Sequence, residues 1–243
     1  MPKRPFIRKQ KRKHHGTNFW DHEYTNPEHL ALSTEPGDDF LKFTRFAERH
    51  HPHVVQKGSQ ALDLGCGNGR HVRYLQETYG MAIVGFDTSA AAVAQAKQLC
   101  NTDQATNLAV RSIAEPLPLP DASCSIVLDM MTSHFLSSNE RRRLRSEILR
   151  VLQPGGLLLM KTFLRDDDLH TSRLLKEHPG KEPHTYIHPV IGVPEFVYSE
   201  VELREYLEPS LIIKRIYRSH KHKFKGRARK RRTITIYAER ISS

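Results

Sequence analysis

Residues 65–69 read Gly-Cys-Gly-Asn-Gly, three glycines at alternate positions directly after the apolar run Ala61-Leu62-Asp63-Leu64. Glycine at such positions lets the backbone turn tightly and lets a ligand approach without side chains in the way. A helix opening at the end of this turn would offer its free N–H groups to that ligand. Asp87 closes the next apolar run, Val84-Gly85-Phe86, about 20 residues beyond the turn, where an acid can bind ribose hydroxyls. Alone, such an acid is commonly a helix cap; beside the glycine turn the ribose role is favoured. Asp129 and His134 lie further on, in Asp129-Met130-Met131-Thr132-Ser133-His134. They stand where a strand would end, so either could take a proton from a group bound above it. The bland alternatives are that Asp129 only orients a ligand and that His134 caps or packs.

Such residues need elements to hold them. Apolar runs at 60–64, 81–86, 108–111, 125–131 and 156–163 predict strands, and residues 69–79 and the Ala-rich 90–100 predict helices between them. A capping box, Ser137 with Glu140, opens a helix before the fifth strand, and Pro154-Gly155 closes it. A second capping box, Ser199 with Glu202, starts a short helix, and strands at 211–217 and 233–241 follow. Upstream, Asp38 and Asp39 start a helix whose Phe40, Leu41, Phe43, Phe46 and Ala47 pack onto the sheet or cover a ligand. This alternation predicts an α/β fold, a parallel sheet with helices on both faces. Residues 1–18 read as a disordered basic arm, and 19–243 as the domain. Within the domain, residues 164–198 hold four histidines and four prolines without a long periodic run, which predicts a lid-like insert.

Dinucleotide dehydrogenases carry a related turn, G-x-G-x-x-G, but Arg70 stands where its third glycine would be. The G-x-G-x-G spacing instead resembles the first signature of class I (Rossmann-like) S-adenosylmethionine-dependent methyltransferases. Two further stretches are similar to that superfamily. Residues 114–121, Ala-Glu-Pro-Leu-Pro-Leu-Pro-Asp, look like the loop that starts along the adenine ring, and Leu152-Gln153-Pro154-Gly155-Gly156-Leu157 looks like the entry to the fifth strand. The resemblance implies a seven-stranded mostly parallel sheet with helices on both faces and an antiparallel last strand, and S-adenosylmethionine as cofactor, held by Asp63, Gly65, Cys66, Gly67, Gly69, Asp87, Thr88, Ile113, Ala114 and Asp129. It implies catalysis assisted by Asp129 and His134, and no metal. The family often has an acid where Ile113 stands, so adenine contacts would come from Ile113 and Ala114 through backbone N–H and apolar stacking.

The methyl acceptor is narrowed by exclusion. Asp129-Met130-Met131-Thr132 lacks the Asn/Asp-Pro-Pro-aromatic motif of enzymes that methylate exocyclic base amines. Cys66 and Cys124 sit in the turn and at a strand start, which disfavours a covalent cytosine-C5 route. Asp166, Asp167 and Asp168 read as a solvated loop start rather than a metal cluster, and His170, His178, His184 and His188 lack the regular spacing of a metal site.

Charge points elsewhere. Residues 1–15 carry seven Lys or Arg and residues 218–232 carry nine, with no acid in either, while the remaining 22 basic residues face all 27 acidic ones. Two polycationic segments on a mildly acidic body predict an acidic partner, RNA first, in a ribosomal or transfer RNA context. In this fold the 218–232 turn would overhang the acceptor side, its cations on phosphates and Phe224 free to stack on a base. Solubility alone is the competing reading of these runs. A small-molecule or protein acceptor, and a non-catalytic RNA-binding module, are the competing functions. No apolar run spans a bilayer, the basic start lacks a signal-peptide core, and three singly spaced cysteines fit a reducing cytoplasm.

Overall fold

The computed structural model describes residues 17–29, 32–100, 106–208, 210–220, 223–224, 227–228 and 230–241. Residues 1–16 of the expected 1–18 basic arm lie outside them. The chain opens with α1 (Thr17–Thr25) and α2 (Asp38–His50), then β1 (Gln60–Leu64), α3 (Arg70–Tyr79), β2 (Ala82–Asp87), α4 (Ala90–Leu99) and β3 (Thr106–Val110). It continues through β4 (Cys124–Met130), α5 (Ser138–Val151), β5 (Leu152–Phe163), α6 (Leu169–Glu177), β6 (Thr185–Ile187) and β7 (Pro194–Phe196). It closes with α7 (Glu200–Leu207), β8 (Leu211–Arg218), a short hairpin of β9 (Lys223–Phe224) and β10 (Arg227–Ala228), and β11 (Thr233–Arg240).

Seven strands form one sheet in the order β3-β2-β1-β4-β5-β11-β8. The first five pair in parallel, as the alternating pattern implies, and β11 runs antiparallel between β5 and β8, as the family resemblance implies. The central strands are buried on both faces, which is why β1 and β4 read as near-continuous apolar runs. One face packs against α5 and α7 through Leu144, Ile148, Leu203 and Leu207. The other packs against α2, α3 and α4 through Phe40, Phe43, Val72, Leu75 and Val93. Both expected capping boxes form: Glu140 and Glu202 accept from the backbone N–H of Ser137 and Ser199 at 2.8 Å each.

Three segments differ from the sequence reading. Residues 17–25, which span the end of the expected arm and the start of the domain, form α1, a helix too short for periodicity to declare. The insert folds as α6 and the β6–β7 hairpin around Phe163, Leu174, Tyr186 and Val197, a small core of its own. Asp168 is not solvated: it is 3% exposed and accepts from the N–H of His170, the Thr171 hydroxyl and the N–H of Arg232. That carboxylate caps α6 and ties the insert to the second basic segment, a long-range role invisible in a run of three acids.

Candidate functional site

The parallel strands end together at the carboxyl edge of the sheet, and the glycine turn after β1 forms the floor of a cavity of about 350 Å³ there. Gly65 (φ +76°) and Gly67 (φ +55°) adopt left-handed backbone that side-chain-bearing residues rarely reach. A Cβ on Gly65 would lie 2.3 Å from Thr132 Oγ1, and one on Gly67 would lie 2.5 Å from Tyr24 Oη. Gly69, at the start of α3, lets Ala96 and Cys100 of α4 approach within 3 Å of where its Cβ would stand. The turn is therefore shaped by contacts from three other elements.

Asp87 ends β2 at the cavity wall, and its carboxylate accepts from the N–H of Gly67 and of Ser89, both at 2.9 Å. Burial pushes this carboxyl up, and the two N–H donors oppose the shift. One residue thus holds the glycine turn, fixes the backbone of Ser89, the N-cap of α4, and faces the cavity. Thr88, Ile113 and Gly65 share that wall. Cys66 and Gly67 line a smaller adjoining cavity of about 150 Å³, and Arg70 lines both. Burial pushes the Cys66 thiol well above its ordinary value, so it packs rather than reacts. Asp63 and Ala114 line neither cavity. The Ala114 N–H is taken by Ser112 Oγ at 3.2 Å. Asp63 is buried with both carboxylate oxygens lacking a hydrogen-bond partner among the described residues. Burial, with Asp87 nearby, pushes it up to about 7.

The two residues nominated for proton transfer separate. Asp129 is 2% exposed, does not line the cavity and accepts from the Ser133 N–H at 3.0 Å, fixing the turn that follows β4. That turn presents His134 to the cavity, 1% exposed, with no partner at either ring nitrogen among the described residues. Burial lowers its imidazole to about 4, so the ring is neutral near pH 7. Phe135 and Phe163 pack around it with ring centroids at 4.1 and 5.1 Å.

Several wall residues carried no sequence signal. From α1, Trp20 packs edge-on against Phe135 and Tyr24 stands over Gly67. Asp21 anchors this helix by accepting from the Ser89 hydroxyl at 2.7 Å and the Ala91 N–H at 3.2 Å. It is therefore α1 that covers the cavity, while α2 packs beneath the sheet; aromatics four residues apart, Trp20 and Tyr24, are the faint clue to that face. From the insert, Glu195 is fully buried and pairs with Arg231, whose guanidinium lies 3.5 Å over the Phe163 ring. Arg232 is also turned inward, giving hydrogen bonds to the backbone oxygens of Asp166 and Ser219. Two of the cations expected to meet phosphates are thus structural. Phe224, Arg227 and Arg229 lie outside the residues whose side chains are described.

The geometry fits S-adenosylmethionine: a glycine cradle that a Cβ would fill, an acid at the end of β2, an apolar Ile113 wall and Arg70 beside the turn. No group of His, Cys, Asp and Glu suited to a metal occurs among the described residues.

Comparison with known proteins agrees. A family model described as a methyltransferase domain matches residues 62–160. A phthiotriol/phenolphthiotriol dimycocerosates methyltransferase of Mycobacterium ulcerans is 33% identical over 147 residues, 58% of this chain and 50% of that protein. A tRNA (carboxymethyluridine(34)-5-O)-methyltransferase of Macaca fascicularis is 28% identical over 129 residues, 50% of this chain and 18% of that one. The chain spans about half the length, or less, of these curated relatives. Among solved structures, a methyltransferase of Methanosarcina mazei shares the fold with a TM-score of 0.64 at 21% identity, over 79% of this chain and 97% of that one. The signatures, the sheet order and the cavity agree with these matches: residues 62–160 form a methyltransferase domain, on the fold that S-adenosylmethionine-dependent methyltransferases of known structure share.

Proposed function

We propose that the chain is an active methyltransferase whose acceptor is RNA, in a ribosomal or transfer RNA context. The observation that carries the acceptor assignment is the position of the basic turn. The connection from β8 to β11 leaves the sheet at the cavity edge, and Arg231 at its end lines the cavity itself. The run that holds nine cations and no acid in sequence therefore ends at the place of reaction. The tRNA methyltransferase among the relatives supports this reading, while the dimycocerosates methyltransferase keeps a small-molecule acceptor as the competing one. The three free cysteines are all buried, and we place the protein in the cytoplasm. No helix among the described residues is long and apolar enough to cross a membrane.

In the proposed mechanism Gly65, Gly67, Asp87, Thr88, Ile113 and Arg70 would hold the cofactor, Asp87 as acceptor for ribose hydroxyls and Arg70 as donor to the methionyl carboxylate. When bound, the sulfonium supplies an electrophilic methyl carbon for direct displacement. The protein's task is then to align a nucleophile and exclude water, which the α1 cover and the aromatic wall perform. Neutral His134 can accept the acceptor's proton, and Asp129 positions it through the Ser133 turn.

Labelled methyl transfer from S-adenosylmethionine into cell extract tests the assignment. Ribonuclease-sensitive label is expected. Protease-sensitive or solvent-extractable label would replace RNA by a protein or a small molecule, and no label in any extract would favour a binding module.

A further inference from the structure

The cavity wall opposite the glycine turn has a chemistry that cofactor binding does not use. Glu195 reaches it from β7 of the insert. Its Oε2 is engaged by the Tyr186 hydroxyl at 2.5 Å and by Arg231, while its Oε1 is buried without a hydrogen-bond partner among the described residues. An unsatisfied carboxylate oxygen at a fully buried residue is costly unless a ligand completes it. His134 lines the same cavity with both ring nitrogens equally unclaimed. Around these polar atoms stand the rings of Trp20, Phe135 and Phe163. A space lined by aromatic rings, with one carboxylate acceptor and one neutral imidazole in its wall, suits a planar heterocycle presenting N–H donors.

We propose that Glu195 is the acceptor-reading residue of this protein: its Oε1 receives an N–H from the edge of a nucleobase held against Phe163 and Phe135. Resting on the RNA reading, this names how a base is admitted to the cavity. Arg231 and Tyr186 are positioning residues that fix the carboxylate rotamer. Because Arg231 belongs to the second basic segment and Glu195 to the insert, both segments lying outside the shared motifs converge on the acceptor. The carboxylate has no comparable role toward a uniformly apolar acceptor, whose burial beside it would leave Oε1 unsatisfied.

The test uses the full chain loaded with S-adenosylhomocysteine. Binding of uridine and guanosine 5′-monophosphates, and of their N3-methyl and N1-methyl counterparts, is measured by ligand-detected NMR. The same bases are then offered within short oligoribonucleotides. The wild-type protein should prefer at least one N–H form over its N-methylated counterpart, and Glu195→Gln should lower that preference by about tenfold to about a hundredfold. Tyr186→Phe keeps the carboxylate and should retain the preference at reduced affinity, which separates reading from folding; S-adenosylhomocysteine affinity should be unchanged in both. Equal binding of N–H and N-methyl forms by the wild-type protein, or an undiminished preference in folded Glu195→Gln, would overturn the proposal. Selective binding of free nucleotides with no gain in oligoribonucleotides would keep the subsite and reject the RNA source. Ribonuclease-sensitive methylation with no Glu195 dependence would keep the RNA reading and reject the subsite.

Discussion

Replacing Gly65 by alanine should damage the site through one identifiable collision. At φ +76° an L-residue pays a backbone penalty of about 1–2 kcal/mol. The added methyl would also stand 2.3 Å from Thr132 Oγ1, 2.5 Å from its Cγ2 and 2.9 Å from its Cβ. Thr132 is β-branched and stiff, and its hydroxyl donates to the Met130 carbonyl at 3.3 Å, so rotation offers little relief. Overpacking of this kind costs about 1–3 kcal/mol, for a total of about 2–5 kcal/mol. For a chain of this size the melting temperature should fall on the order of 10 °C. A cycle with Thr132→Ala separates the two contributions. Removing Oγ1 and Cγ2 eliminates the two shortest approaches, so the double variant should recover at least about 1 kcal/mol while the backbone penalty stays. Circular dichroism melts of the four proteins, with calorimetric titration of S-adenosylhomocysteine, measure both effects. Strictly additive losses, or a Gly65→Ala variant within about 0.5 kcal/mol of the parent, would refute the collision.

Asp87→Ala removes the acceptor for the Gly67 and Ser89 N–H groups at the cavity wall, and calorimetry should show cofactor affinity reduced about tenfold or more; unchanged affinity refutes the ribose assignment. His134, lowered to about 4 by burial, binds fewer protons folded than unfolded, so its contribution is complete above about pH 6.5 and is lost as pH falls toward 4. His134→Phe should therefore flatten the acid side of the stability profile by up to about 3 kcal/mol relative to the parent, measured by urea melts at pH 4 to 7. Asp63, raised to about 7, contributes with the opposite sign in the same window, so only the difference between the two proteins isolates the histidine. Neutralising Arg227, Arg229 and Lys230 should reduce the slope of log affinity for RNA against log salt by about 0.7–0.9 for each phosphate that is no longer neutralised, read by filter binding. Arg232→Ala should instead leave that slope unchanged and lower stability by about 1–3 kcal/mol, because it strips the donor from the part-buried Asp166 and Ser219 carbonyls.

What the sequence determined by itself is local in origin. Alternating apolar runs, glycine spacing and two S-x-x-E boxes each act within a few residues, so the five parallel strands, both helix starts and the Gly65–Asp87 wall were legible from the chain alone. Their outcome is dictated by backbone sterics and by burial on both faces of a sheet. Tertiary structure alone decided which side chains complete the cavity. Trp20 and Tyr24 act through a short helix whose place is set by Asp21 meeting Ser89 and Ala91 about 70 residues away. Glu195 is an ordinary acid in a loop-like stretch until a hairpin buries it against Arg231. Arg231 and Arg232 were indistinguishable from the other cations of their run, because composition records charge and not direction. Asp129 and His134 are five positions apart, yet one closes a turn and the other faces the cavity. That division depends on how β4 ends against the glycine turn, a meeting of residues that the chain itself keeps far apart.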